Sequence, residues 1–136
     1  MATQIFVNLP VKNLDKSVAF FTRLGYKFDP RFTNENATSM IVAEGSIYVM
    51  LLVESFFKTF TAKSIADTRT STEVLVCLSC ESRAEVDAQV AKAVAAGGTT
   101  PRPVQDHGFM YQHGFEDLDG HTWELMYMDM NAMPPN

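Results

Sequence analysis

Asp117-Leu118-Asp119-Gly120-His121-Thr122-Trp123-Glu124-Leu125 reads as a tight turn that releases a patterned strand. Asp119-Gly120 between two β-like runs is a strong hairpin signal, because glycine accepts the positive φ that such turns require. Side chains alternate along a strand, so Trp123, Leu125 and Tyr127 fall on one face and Glu124, Met126 and Met128 on the other. Glu124 is thereby a carboxylate among apolar neighbours. Such a group needs a metal, a hydrogen-bond donor, or solvent in a cavity.

Working outward, the same order of elements is found twice. In the first half, 5–11 is a strand and Asn13 caps a helix over 14–24, with Leu14, Val18, Phe21 and Leu24 as its apolar stripe. Gly25 stops that helix. Strands follow at 26–28, 37–42 and 47–53, the last two joined through Gly45. In the second half, 73–79 is a strand, and Ser82 with Glu85 forms a capping box for a helix whose apolar face is Val86, Val90, Ala93 and Val94. Gly97 ends it. A short strand at 99–102, a strand at 109–115 and a strand at 121–129 complete the half, before a tail at 130–136. Gly25 and Gly97 lie 97 − 25 = 72 residues apart, and Gly45 and Gly120 lie 120 − 45 = 75 apart. The spacing predicts an α+β fold of two βαβββ modules, at about 4–53 and 73–130, within one domain over 1–136. A half-sheet leaves one face uncovered, so the modules are expected to form a curved mixed sheet around a cavity, with helices outside. The segment 54–72 carries Phe56, Phe57 and Phe60. It reads either as a lid or partner surface, or as a short helix at 62–66 covering a sheet edge.

Bulk properties exclude several classes of partner. Of 136 residues, 46% are hydrophobic and 20% charged, the composition of a globular domain. The net charge is −5 and the basic residues are scattered, so nucleic acid is not an expected partner. No apolar run has membrane-spanning length, and the N-terminus lacks the pattern of an export signal. Two cysteines and no leader point to the cytoplasm. Cys77 and Cys80 sit on a buried strand and point to opposite faces, which speaks against a redox pair.

The chain resembles the vicinal oxygen chelate superfamily, which includes glyoxalase I, bleomycin-resistance proteins and extradiol dioxygenases. The resemblance rests on Val11-Lys12-Asn13-Leu14-Asp15-Lys16-Ser17-Val18-Ala19-Phe20-Phe21, on Leu24-Gly25-Tyr26, on Ala95-Ala96-Gly97 and on the opening stretch, and it covers nearly the whole chain. It implies a homodimer, and Phe56, Phe57 and Phe60 would suit the interface. It also implies one divalent metal (Zn, Ni, Fe or Mn) held by side chains from four strands, which would chelate adjacent substrate oxygens. The last ligand position falls on Glu124. The others fall on Phe6, on Val49 or Met50 (the 75-residue offset favouring Val49), and near Leu75, with Glu73 two residues earlier. Three of the four are thus apolar.

Other residues are candidates to rebuild a site. His113 alternates with Phe109, Tyr111 and Phe115. If that face lines the cavity, His113 and Tyr111 meet Glu124, and a histidine–carboxylate pair can act as a general base. If those aromatics pack under the helices instead, His113 is a core or rim residue. His121, just past the turn, is expected at the surface. Asn8 shares a face with Phe6. Met126 and Met128 share the face of Glu124, and their thioethers suit an irregular apolar ligand. The resulting expectation is a small-molecule-binding protein with an apolar cup anchored by Glu124. The alternative is a metal-dependent glyoxalase-type lyase or dioxygenase with a non-standard ligand set.

Overall fold

The computed structural model describes residues 2–134. Contacts divide the chain into two compact units, Met1–Ala66 and Asp67–Asn136, so the 54–72 segment is shared between them. Each unit carries one βαβββ module built on a mixed four-stranded sheet.

The first unit runs β1 (Ile5–Val11), α1 (Leu14–Arg23), β2 (Lys27–Asp29), β3 (Ala37–Ala43) and β4 (Ile47–Val53). The sheet order is β1-β4-β3-β2, with β1 parallel to β4 and the other pairs antiparallel. Asn13 caps α1 by accepting from the Lys16 N–H at 3.1 Å. The helix ends in a Schellman motif: the Gly25 N–H reaches the Thr22 carbonyl at 3.0 Å and the Tyr26 N–H the Phe21 carbonyl at 3.1 Å. Gly25 supplies the positive φ of 99° that this geometry needs. The buried stripe of α1 is Leu14, Ser17, Phe20 and Phe21, continued by Leu24. It is rotated slightly from the expected one, and Val18 lies at its margin. Phe20 and Phe21 meet edge to face at 4.9 Å, over a core that includes Leu9, Met40, Val49 and Leu51. The helical turns after β4 are α2 (Glu54–Phe57) and a 3-10 turn (Lys58–Phe60), where Phe56 and Phe60 meet edge to face at 5.2 Å. The helix expected at 62–66 does not form.

The second unit repeats the order as β5 (Leu75–Ser79), α3 (Arg83–Ala95), β6 (Gln105–Asp106), β7 (Met110–Glu116) and β8 (Thr122–Met128). Its sheet order, β5-β8-β7-β6, copies the first. Ser82 Oγ accepts from the Glu85 N–H at 3.1 Å, while the Glu85 carboxylate reaches back to the Glu81 N–H at 2.7 Å. Gly97 and Gly98 close a second Schellman motif on the Val94 and Ala93 carbonyls. Val86, Val90 and Ala93 are buried, whereas Val94 is exposed, contrary to expectation. β5 is an edge strand with Leu75 and Cys77 exposed rather than a buried one. The short strand forms at β6 and not at 99–102. Pro101 and Pro103 have no N–H to give a ladder there, and only Thr99 bridges Glu116. Of the expected tail, 130–132 form a 3-10 turn, and Pro135 and Asn136 lie outside the described residues. Among the described residues no helix is long and apolar enough to cross a membrane.

Candidate functional site

The β7–β8 register decides which side chains meet. Phe115 lies opposite Trp123, His113 opposite Leu125, Gly114 opposite Glu124 and Gln112 opposite Met126. One face is packed against α3: Phe115 and Trp123 are stacked at 6.2 Å, and Leu125 is buried beside them. The other face presents Glu124, Met126 and Met128, half-buried, with Gln112 and Met110 as cross-strand neighbours. On it, Gln112 Nε2 donates to Glu124 Oε2 at 2.7 Å. The donor that the isolated carboxylate requires is therefore a carboxamide on the diagonal position of the adjacent strand. Gly114 leaves the space beside them open. A Cβ at that position would lie 2.8 Å from the Trp123 carbonyl oxygen, too close for any other residue without backbone movement.

Residues 100–104 leave the edge of β7 between the Thr99 bridge and β6, and enclose a groove of about 360 Å³ against the sheet. Pro101, Arg102 and Pro103 form its outer wall, Thr72 and Leu75 also line it, and Gln112, His113, Gly114, Glu116 and Glu124 line it from β7 and β8. Cys77 lies beside Glu124 on β5. Burial and then the Glu124 charge push its thiol pKa up, and burial first of all pushes that of Cys80 to about 11. Both cysteines are free thiols.

His113 lines the same groove, but neither it nor Tyr111 pairs with Glu124. Their register partners, Leu125 and Tyr127, place them on the opposite face of the sheet. The Tyr111 hydroxyl donates to Asp87 at 2.7 Å, and the Arg83 guanidinium lies 4.9 Å from its ring centroid. His113 Nε2 is engaged by Thr100 and by the Arg102 carbonyl. The histidine–carboxylate base expected from alternation is thus not assembled. The aromatic face of β7 turned to the helix instead.

Val49 also has to be reassigned. It is fully buried on the core face, opposite Met40. Counting from the glycines misled because they occupy different places in their turns. The first turn closes with the Ser46 N–H on the Ala43 carbonyl, the second with the Gly120 N–H on the Asp117 carbonyl. The turns are 117 − 43 = 74 residues apart, and that frame sets Met50 against Glu124. Met50 lies beside Asn8 and opposite Ser39, on the face that also carries Phe6. Phe6 is half exposed and stacks on Tyr48 at 5.1 Å, with the rings 11° from parallel.

The turn itself rests on a buried carboxylate. Asp117 accepts from the Trp123 indole at 2.9 Å and from the Asp119 and His121 N–H groups at 2.9 and 3.1 Å. Burial nonetheless raises its pKa above the ordinary value, against the lowering pull of His121 and these donors. His121 is buried too, its Nδ1 2.5 Å from Glu73 Oε1. It is an internal tie between the strand and the preceding loop, not a surface residue. Thr68 adds a second tie, donating to the Asp119 carbonyl at 2.5 Å.

A divalent metal does not fit the donors available. In the first unit the relevant positions offer the Phe6 ring, the Met50 thioether and the Asn8 amide. In the second, Leu75 has no ligating atom, one Glu124 oxygen accepts from Gln112, and the raised pKa of Cys77 disfavours the thiolate that metals take. Among the described residues no three histidines, cysteines or carboxylates are grouped to hold a metal ion.

Comparison with known proteins agrees with this architecture. Residues 4–125 match the family model described as the Glyoxalase/Bleomycin resistance protein/Dioxygenase superfamily. The hypothetical protein SA1046 from S. aureus is 27% identical, with a TM-score of 0.78 over 93% of this chain and 94% of that one. A glyoxalase/bleomycin resistance protein/dioxygenase family enzyme from Burkholderia phytofirmans PsJN is 15% identical, with a TM-score of 0.74 over 90% and 96%. The genomically encoded fosfomycin resistance protein FosX from Listeria monocytogenes is 16% identical, with a TM-score of 0.68 over 97% and 98%. The last two show the shared fold alone. No curated protein matches the sequence.

Proposed function

We propose that this chain, which belongs to the Glyoxalase/Bleomycin resistance protein/Dioxygenase superfamily, binds a small organic molecule without a metal, using Glu124 as polar anchor. The observation that carries the reading is the Gln112–Glu124 pair on a half-buried, methionine-bearing face beside an open groove. Gln112 occupies one carboxylate oxygen and leaves the other as an acceptor for a ligand N–H or O–H. Met126 and Met128 offer adaptable apolar surface to the ligand body. On the first unit, Phe6, Asn8 and Met50 offer a comparable apolar face with a single amide. A homodimer belongs to the same reading. Ile5 and Phe6 on the edge strand β1 are 53% and 50% exposed, and Phe60 is 67% exposed, apolar surface that a second copy would cover. Light scattering at micromolar concentration would measure the oligomeric state.

The test combines elemental analysis of the purified protein with titration of N-phenyl-1-naphthylamine, an uncharged aromatic probe with one N–H donor. The expected result is substoichiometric metal and saturable probe binding, weakened about tenfold by Glu124→Leu, the ~1.4 kcal/mol of a hydrogen bond to a charged acceptor. Stoichiometric metal that Glu124→Gln removes would sink this reading in favour of a metal-dependent lyase or dioxygenase.

A further inference from the structure

Between the Thr99 bridge and β6, the hydrogen bonds seen among the described residues for the outer wall of the groove converge on His113 and Gly114. The Thr100 hydroxyl donates its single hydrogen to the Gly114 carbonyl at 2.7 Å. His113 Nε2 lies 2.9 Å from that same hydroxyl oxygen and 3.0 Å from the Arg102 carbonyl. A carbonyl can only accept, and the hydroxyl has already spent its hydrogen, so Nε2 must carry the proton and share it between the two. The tautomer follows from the partners. With residues 100–103 in place, Nε2 cannot act as a base, and both the neutral Nε2–H ring and the imidazolium keep the contact.

The wall has little else to hold it. Pro101 and Pro103 cannot donate to β7, and Pro101, Arg102 and Pro103 are all exposed. A segment with few buried contacts and few ladder bonds opens at low free-energy cost. We propose that His113 is a positioning residue that latches residues 100–103 along the groove, so that a ligand seated beside Glu124 and Gln112 leaves when the latch opens. The ligand part of this statement rests on the binding reading above; the latch does not.

The experiment therefore has two readouts. Ring-nitrogen NMR of His113 should show a protonated Nε2. Amide exchange at Thr99 and Glu116, whose N–H groups bond each other's carbonyls at the root of the wall, should rise at least about tenfold in His113→Phe and in Thr100→Val, while exchange at Leu125 stays at the wild-type rate. His113→Gln, which retains a donor, should recover part of the protection. The second readout is stopped-flow release of N-phenyl-1-naphthylamine, expected to be severalfold faster in the Phe and Val variants. Thr100 is exposed, so its variant serves even if the histidine variant misfolds. An unprotonated Nε2, unchanged exchange, or unchanged probe release from a loosened wall would each overturn the latch. Failure of the probe to bind the wild-type protein would overturn the binding reading instead, with exchange left to judge the latch.

Discussion

The two units share a path and differ in what that path carries. Both helices end in the same double hydrogen bond over a positive-φ glycine, and both sheets place their parallel pair at the same edge. The first unit packs the edge-to-face Phe20–Phe21 pair and buries Ser17, Asp29, Thr38 and Ser39 beside its apolar core. Its open face offers aromatic, thioether and amide groups. The second buries Asp117 and His121 in its interior and sets a carboxylate–carboxamide pair on its open face. Backbone capping is thus the common element. The units differ in the pairing on their open faces, where the second sets Gln112 against Glu124 and each such polar group has to be partnered.

The comparison breaks most strongly at Asp117. Asp117→Ala would strand the Trp123 indole N–H and two backbone N–H groups, and urea unfolding should show a loss of about 3 kcal/mol. Nothing in the first unit's turn has this dependence. The glycines come next. Gly25→Ala and Gly97→Ala should each cost about 1–2 kcal/mol for the positive φ. Position 97 should suffer slightly more, because a Cβ there meets Leu118 Cδ2 at 3.2 Å, whereas among the described residues nothing beyond the adjoining chain lies within 4 Å of one at position 25. Removing the helix caps should sharpen the likeness. Asn13→Ala and Ser82→Ala should cost about 1 kcal/mol each, measured by thermal or urea unfolding, and a large inequality would argue against equivalent helices.

The smallest effect is in acid. Asp29 is held below the ordinary carboxylate value chiefly by the Arg31 side chain, and Asp106 chiefly by Arg83. Their contributions are complete above the unfolded pKa and fade as pH falls through the folded values. Asp117 has the opposite sign. Its folded pKa is raised, so its proton-linked contribution is complete below the unfolded pKa and is lost as pH climbs through the folded one. Carboxyl-carbon NMR titration should find Asp117 above, and Asp29 and Asp106 below, the usual midpoint. Asp117 titrating with the other two would remove the contrast.

Much of the backbone was legible. The strands at β1 and β4, both helix caps, the glycine stops and the second hairpin follow from local rules that each residue obeys with its near neighbours. Of the candidate site, alternation along β8 placed Glu124, Met126 and Met128 on one face and alternation along β1 placed Phe6 with Asn8, but Gln112 escaped. Alternation along β7 separates Tyr111 and His113 from Gln112 and Gly114 but does not say which set meets the helix, since neither set is plainly polar. The missed signal was pairing. Counting outward from the turn puts position 114 opposite Glu124 and Gln112 on the diagonal, a cross-strand relation rather than a property of one strand. His121 escaped for a similar reason, because its partner Glu73 is 48 residues away in sequence.

The different placing of Gly45 and Gly120 within their turns bears on how such a chain tolerates length change. Side chains on a strand repeat with a period of two, so parity, more than length, decides the outcome of an insertion. One residue added to either hairpin, if the strand pairing slips to absorb it, exchanges wetted and buried rows. Trp123 would go to solvent and Glu124 into the core. Two added residues would preserve both rows and lengthen only the loop. Among relatives of this chain, hairpin lengths differing by an even number should therefore preserve the chemical identity of the open face, and odd differences should come with a bulge that restores the count, as the irregularity between Ile41 and Ala43 already does in the first unit.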